Sequence, residues 1–149
     1  MTLRQAIWLG GVSGLRSAAG LAALVNHAQR DPLNAQHYPE ILRTPAAATA
    51  LRLAQAGETI GDKLPFTPSR LAPIPLIGRM ALGAIVGALA HRDDRLSGGF
   101  FGAGAAVIGA ILGYGIRKQL VEETGIPDPL IAIIEDAITI AIAEAVANE

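Results

Sequence analysis

The chain has 149 residues, 51% hydrophobic and 17% charged, with a formal net charge of −1 and a mean hydropathy of +0.40. That length fits one domain, 1–149, and the composition points away from a soluble globule and towards a membrane protein. Balanced charge with only 4% aromatics supplies neither a basic field for phosphate backbones nor stacking platforms, which argues against nucleic acid as a partner, and the absence of cysteine excludes disulfides and thiolate chemistry.

A spanning helix needs roughly 20 mostly apolar residues, and five segments approach that length. The first, Gln5 to about Val25, follows Met1-Thr2-Leu3-Arg4 without an Ala-x-Ala cleavage site and is expected to be a retained helix. Its middle holds Gly11, Ser13, Gly14 and Arg16, which predicts a helix break there. Residues 26–44 read as a loop with a short interfacial helix near Pro39–Leu42. The second segment, Pro45–Asp62, is Ala-rich but carries Arg52, Gln55 and Glu58, and Pro65 follows its end. Neither of these two segments would insert alone, so each needs neighbouring helices or a cavity for its polar groups.

The third segment, Leu71–Ala90, is interrupted only by Arg79, and Pro73 and Pro75 put its regular start near Pro75 or Leu76. Arg79 then falls in the first turn, where it either snorkels to the headgroups or pairs inward. The fourth, Leu96–Ile116, is uncharged and bracketed by Arg92-Asp93-Asp94-Arg95 and Arg117-Lys118. The fifth opens with Asp128 as N-cap and Pro129 at the first helical position, and runs to about Ala147. The fold class is therefore all-α: a polytopic membrane helix bundle of about five segments, some broken or re-entrant. Lys and Arg in alternate loops set Arg30, Arg43, Arg92 and Arg95 against Arg4, Lys63, Arg70, Arg117 and Lys118, a slight lean towards a cytoplasmic N-terminus.

Gly10-x3-Gly14, Gly83-x3-Gly87, Gly98-x3-Gly102 and Gly109-x3-Gly113 are close-packing motifs, informative about helix contacts and little else in a chain of 17 glycines. Charges placed where hydrocarbon should be say more. Glu58 and Asp62 are one turn apart with Lys63 beside them, and Glu135 and Asp136 lie about 10 Å past Pro129 at the helical rise. An ionised carboxylate at such depth costs at least about 2.5 kcal/mol, so both must face inward, find partners or be protonated. Arg16, Arg52, Arg79 and Lys63 are the available cations. Two readings of this set stay open: structural ion pairs that fix helix register, and a pathway for a proton, an ion or a small polar solute.

A glycine-rich helix, a proline-started helix and an acidic pair occur in the first two segments and again in the last two, with one span between them. That arrangement predicts an inverted two-helix repeat. No enzyme is expected, and neither cofactor nor metal. His27, His37 and His91 fall in predicted loops without ligand spacing, Ser13 and Ser17 lack a nucleophile setting, and no phosphate-binding glycine loop occurs.

Gly11-Val12-Ser13-Gly14-Leu15-Arg16-Ser17-Ala18, Glu58-x3-Asp62-Lys63-x-Pro65, Arg79 with Gly83-Ala84, the glycine-alanine helix at 102–115 and Glu135-Asp136 resemble, in order, an uncharacterised family of small bacterial membrane proteins. The chain departs from that pattern in carrying Arg52 and in lacking polar residues in the second half of its fourth helix. The resemblance implies a multi-pass protein of the bacterial inner membrane without an established activity. The expectation is a buried polar centre of Arg16, Glu58, Asp62, Lys63, Arg79, Glu135 and Asp136 serving transport or ion permeation, in a lipid bilayer and within a homo-oligomer, a dimer being favoured. The alternatives are a membrane scaffold or assembly factor packing through glycine faces, and a soluble helical oligomer.

Overall fold

The computed structural model describes residues 1–31, 35–61 and 71–149. Asp62, Lys63 and Pro65 lie outside the described residues. Within them the chain is all-α: α1 (Leu3–Leu15), α2 (Ala19–Arg30), α3 (Pro45–Gly61), α4 (Pro73–Ala90), α5 (Arg95–Thr124) and α6 (Asp128–Ala147), with a 3-10 turn at Glu40–Arg43 close to the short helix expected there.

The helix starts follow from local chemistry. Thr2 caps α1 in a reciprocal box: its Oγ1 accepts the Gln5 N–H at 3.3 Å while Gln5 Oε1 accepts the Thr2 N–H at 2.7 Å. α4 begins at Pro73, earlier than the expected Pro75 or Leu76. Both prolines fit because the first turn leaves its N–H groups without intrahelical partners, and the first such bond runs from the Leu76 N–H to Ala72 O at 3.0 Å. α5 continues to Thr124, beyond the expected Ile116, because residues 117–123 are good helix formers, and it stops at Gly125, whose φ of +67° closes the αL cap. The end of an apolar run is thus not the end of the helix.

Asp94 caps α5, accepting from Ser97 Oγ at 2.6 Å and from the Ser97 N–H at 3.1 Å. Those two bonds, the hydroxyl first, hold the Asp94 carboxyl below its ordinary value. A depressed carboxyl stabilises the fold above its unfolded value and loses that contribution as pH falls through the folded one. The stability difference between wild type and Asp94→Ala, measured by thermal unfolding at stepped pH, is expected at neutral pH and should shrink as the solution is acidified through the carboxylate range.

The first segment does not run straight through. α1 leads to a turn at residues 16–18, and α2 folds back alongside it, so that Gly20 lies against Leu9 and Ser13. Asn26 Nδ2 then reaches Glu144 Oε1 at 2.7 Å, on the helix where Val146 O accepts Gln5 Nε2 at 3.1 Å. α1 and α2 are therefore a helical hairpin that enters and leaves at one end, here the upper end, which also holds residues 91–95 and 144–149. α2 continues to Arg30, which places His27 in a helix and not in the expected loop. The break lies at residues 16–18, and Gly11, Ser13 and Gly14, expected to form it, belong to the last turns of α1. Ser13 Oγ returns its hydrogen to Leu9 O at 3.0 Å, so neither serine nor glycine interrupts the ladder there.

What the glycines do is let backbones meet. α1, α4 and α5 cross along one seam, where a Cβ on Gly10 or Gly83 would strike Gly102, one on Gly14 would strike Ala106, and one on Gly98 would strike Gly87. The pairing of Gly10 with Gly102 and of Gly14 with Ala106 makes α1 parallel to α5, while Gly83–Gly102 and Gly87–Gly98 make α4 antiparallel to it. On α5 the buried positions are Gly98, Gly102, Ala106, Ala110 and Gly113. The helix sorts small residues inward and bulky apolar ones outward. Leu96 is 88% exposed, Phe100 77% and, on α4, Ile74 84%.

Polarity is sorted the opposite way. The hairpin, with Arg16 in its turn, forms the centre: Leu9, Leu24 and Val25 are fully buried together with Val86 of α4, and Arg16 is only 3% exposed. α3 contributes one face, with Ala48 buried and Leu51, Gln55 and Glu58 half-buried. Among the described residues two helices, α4 and α5, are long and apolar enough to cross a membrane, which is fewer than the five segments expected. The expected inverted repeat is not seen in the shapes of its halves, since the first segment is a hairpin of two short helices while the fourth is one helix of 30 residues.

Candidate functional site

The turn at residues 16–18 leaves two helix ends without intrahelical partners, the carbonyls of α1 and the N–H groups of α2. Opposite charges meet them. Arg79 Nη1 donates to Gly14 O at 2.8 Å and to Leu15 O at 2.9 Å, so a guanidinium caps the negative end of the α1 dipole. Glu58 Oε1 accepts the Ser17 N–H at 2.9 Å and the Ser17 hydroxyl at 2.7 Å, which puts a carboxylate at the positive end of α2. Arg79 Nη2 closes the ring, 3.2 Å from Glu58 Oε1. Starting α4 at Pro73 places Arg79 in the second turn, facing inward at 4% exposure.

Arg16 stands in the turn itself. Its Nη2 donates to Gln55 O and its Nη1 pairs with Asp136 Oδ1 on α6. Gln55 and Glu58 are three residues apart on α3, so one face of that helix serves both the arginine and Ser17. Burying Arg16 and Arg79 without partners would be costly, and here each meets a carboxylate from a different helix.

A second cluster lies one step away along α6. Neighbouring residues on a helix point about 100° apart, so Asp136 turns to α1 while Glu135 turns to α5. There Arg117 Nη1 is 3.8 Å from Glu135 Oε2, and Arg117 binds Asp128 through two bonds of 2.6 and 2.5 Å. Asp128 is therefore the first helical residue, paired with an arginine, and Pro127 is the N-cap in its place. Arg117 was expected in a loop and instead sits inside α5.

Of the expected set, Arg16, Glu58, Arg79 and Asp136 come together at the hairpin tip, and Glu135 belongs to the adjoining cluster. Asp62 and Lys63 lie outside the described residues, and Arg52 is exposed on α3. Sequence reasoning missed Arg117, Gln55 and Ser17. Arg117 carried a legible signal, since it stands eleven residues before Asp128 with a short turn between, which brings the two side chains to neighbouring helix ends. Gln55 gave none, because it contributes a backbone carbonyl that any residue has.

Below the tip a groove of about 350 Å³ opens between α5 and α6, with Leu15 at its top and Ile116, Leu120, Ile131, Ile134 and Ile138 among its walls. Arg117 and Glu135 also line it. α1 ends at Leu15, so among the described residues no helix fills the space between the lower halves of α5 and α6. Above the tip the hairpin is closed by the apolar core around Leu9, Leu24 and Val86. Among the described residues no three His, Asp or Glu side chains gather as a metal site. Compared with known protein families, characterised proteins and solved structures, the chain matches none.

Proposed function

We propose that this chain is a multi-pass protein of the bacterial inner membrane in which the tip of the α1–α2 hairpin is the site for a proton, an ion or a small polar solute. The observation that carries the reading is the reversal of polarity: arginines at 3% and 4% exposure inside, isoleucine, leucine and phenylalanine outside. Such a surface is costly in water and favourable in hydrocarbon. In this reading α4, α5 and α6 cross the bilayer, about 27, 45 and 30 Å long at the helical rise, and the hairpin enters halfway. α6 tolerates its four carboxylates because Asp128, Asp136 and Glu144 each meet an arginine in hydrogen-bonding or ion-pairing range and Glu135 lies near one.

A helix interrupted at mid-depth, with charges held against its ends, is the arrangement transporters use to bind solutes away from water. The clusters at Arg16–Asp136 and Arg117–Glu135 offer polar footing from the lower end to the tip, and Glu58 Oε2 is buried with no hydrogen-bond partner among the described residues. Passage to the upper end then requires the hairpin to shift. Arg4, Arg30, Arg43, Arg92 and Arg95 fall at the upper end once the first segment turns back, against Arg117 and Lys118 at the lower end among the described residues, which supports a cytoplasmic upper end.

The scaffold reading is less well served. The glycines at 10, 14, 83, 87, 98, 102 and 109 are already against backbone of the same chain, which leaves few of the recognised motifs for a partner helix. A second copy remains the expected partner.

Reconstituted protein is expected to carry proton or small-solute flux that Asp136→Asn and Glu135→Gln abolish together, with unchanged incorporation into liposomes. A solute panel in which wild type and the double variant behave alike would return the charges to a structural role. Monodisperse protein in detergent-free buffer would overturn the membrane placement.

A further inference from the structure

The upper end holds a second cavity, about 370 Å³, lined by Met1, Thr2, Gln5, His27, Arg92, Ala147, Asn148 and Glu149, well away from the hairpin tip. Two of the five arginines at this end are paired, Arg4 with Glu149 at 2.6 Å and Arg30 with Glu144 at 2.9 Å. Arg92 differs. Its guanidinium lies 5.0 Å from the centre of the Tyr38 ring, its Nε is buried without a hydrogen-bond partner, and no carboxylate lies within ion-pair distance among the described residues.

A guanidinium stacked on an aromatic face keeps its in-plane N–H groups available as a fork, the geometry that matches two oxygens of a phosphate. Tyr38 is itself held, 4% exposed with its hydroxyl 3.5 Å from Met1 Sδ, so the platform is fixed before any ligand arrives. His27 adds a second polar group on the same cavity. Its Nδ1 is 3.3 Å from Asn148 Oδ1 and donates to it, so the other ring nitrogen donates to a phosphate oxygen when the ring carries both protons. The acidic residue in the lining, Glu149, is compensated by Arg4.

We infer that this cavity binds a phosphate group through Arg92 and His27, presented either by an anionic phospholipid headgroup or by a soluble phosphate compound. The position suits both sources: the cavity lies between the start of α1, the end of α2 and the end of α6, with Arg92 reaching it from the α4–α5 connection, and its volume exceeds one phosphate and accommodates the glycerol that follows it in a lipid. The inference is independent of solute movement through the hairpin tip.

The test uses the full chain, purified in mild detergent and stripped of lipid, with three probes: inorganic phosphate, glycerol 3-phosphate, and nanodiscs of phosphatidylglycerol against phosphatidylcholine. Thermal shift and native mass spectrometry read binding. Arg92→Gln should weaken the phosphate probe by about tenfold or more, the scale of one charge-assisted contact, while Arg95→Gln, an exposed cation three residues on, leaves it unchanged. His27→Ala should give a smaller loss in the same assay and serves if Arg92→Gln proves unstable. Retention of phosphatidylglycerol without affinity for the soluble probes assigns the lipid source, and the converse assigns the soluble one. Equal losses in the Arg92 and Arg95 variants, no loss in either cavity variant, or no preference for any phosphate probe over chloride or phosphatidylcholine would overturn the site.

Discussion

Arg79→Ala is expected to destabilise the folded protein by about 3–5 kcal/mol, the cost of leaving a buried charge without its partner. The substitution removes at least three hydrogen bonds at once, among them the caps on Gly14 and Leu15 and the link to Glu58. It also leaves a carboxylate that is 14% exposed, still held by Ser17 but without its cation. Glu58→Gln in the same background should return part of the loss, because a neutral amide needs no counter-charge and can still accept from Ser17. Arg79→Lys should fall between, since one ammonium cannot span two carbonyls and a carboxylate as the planar fork does. The check is reversible unfolding in detergent, with the four variants arranged as a double-mutant cycle. Additive effects of Arg79→Ala and Glu58→Gln would mean that the two residues do not act as a pair.

Gly102→Val is expected to abolish the bundle outright. Gly102 lies where α5 passes between α1 and α4, and a Cβ there would meet the Gly83 carbonyl and the Gly87 Cα. Neither is the end of a side chain that could swing away, so the helices would have to separate, and the seam holds much of the packing that orders the hairpin. Gly104→Val is the control, because nothing lies within 4 Å of a Cβ built there. It should behave as wild type by thermal unfolding and by size-exclusion profile, while Gly102→Val should be recovered aggregated or not at all.

These two expectations mark what could be read from the residues. Glycines four apart on apolar helices announce close backbone approach, and the motifs at 10, 83 and 98 meet where that logic puts them. The clustering of Arg16, Glu58, Arg79 and Asp136 followed from cost alone, because unpaired charges in such segments must find each other. What composition could not convey is direction. A hairpin and a straight helix with a kink share the same residues, and Gly11, Ser13 and Gly14 fit either. The decision lay with partners far along the chain: Arg79, 64 residues on, holds the ends of α1, and Glu58, 41 residues on, holds the start of α2. Hydropathy likewise failed for the boundary at Ile116, where the residues change from apolar to charged without leaving the helix.

The contact between Arg16 and Asp136 joins residues 120 positions apart, and that spacing sets an order of events during synthesis. When the hairpin leaves the ribosome, the Asp136 carboxylate that pairs with Arg16 has not yet been made. That contact therefore forms only once α6 follows, so the packing of the hairpin tip against α6 is completed after α4 and α5 have been made. A protein stopped before residue 136 should lack that pairing and hold its hairpin tip less firmly.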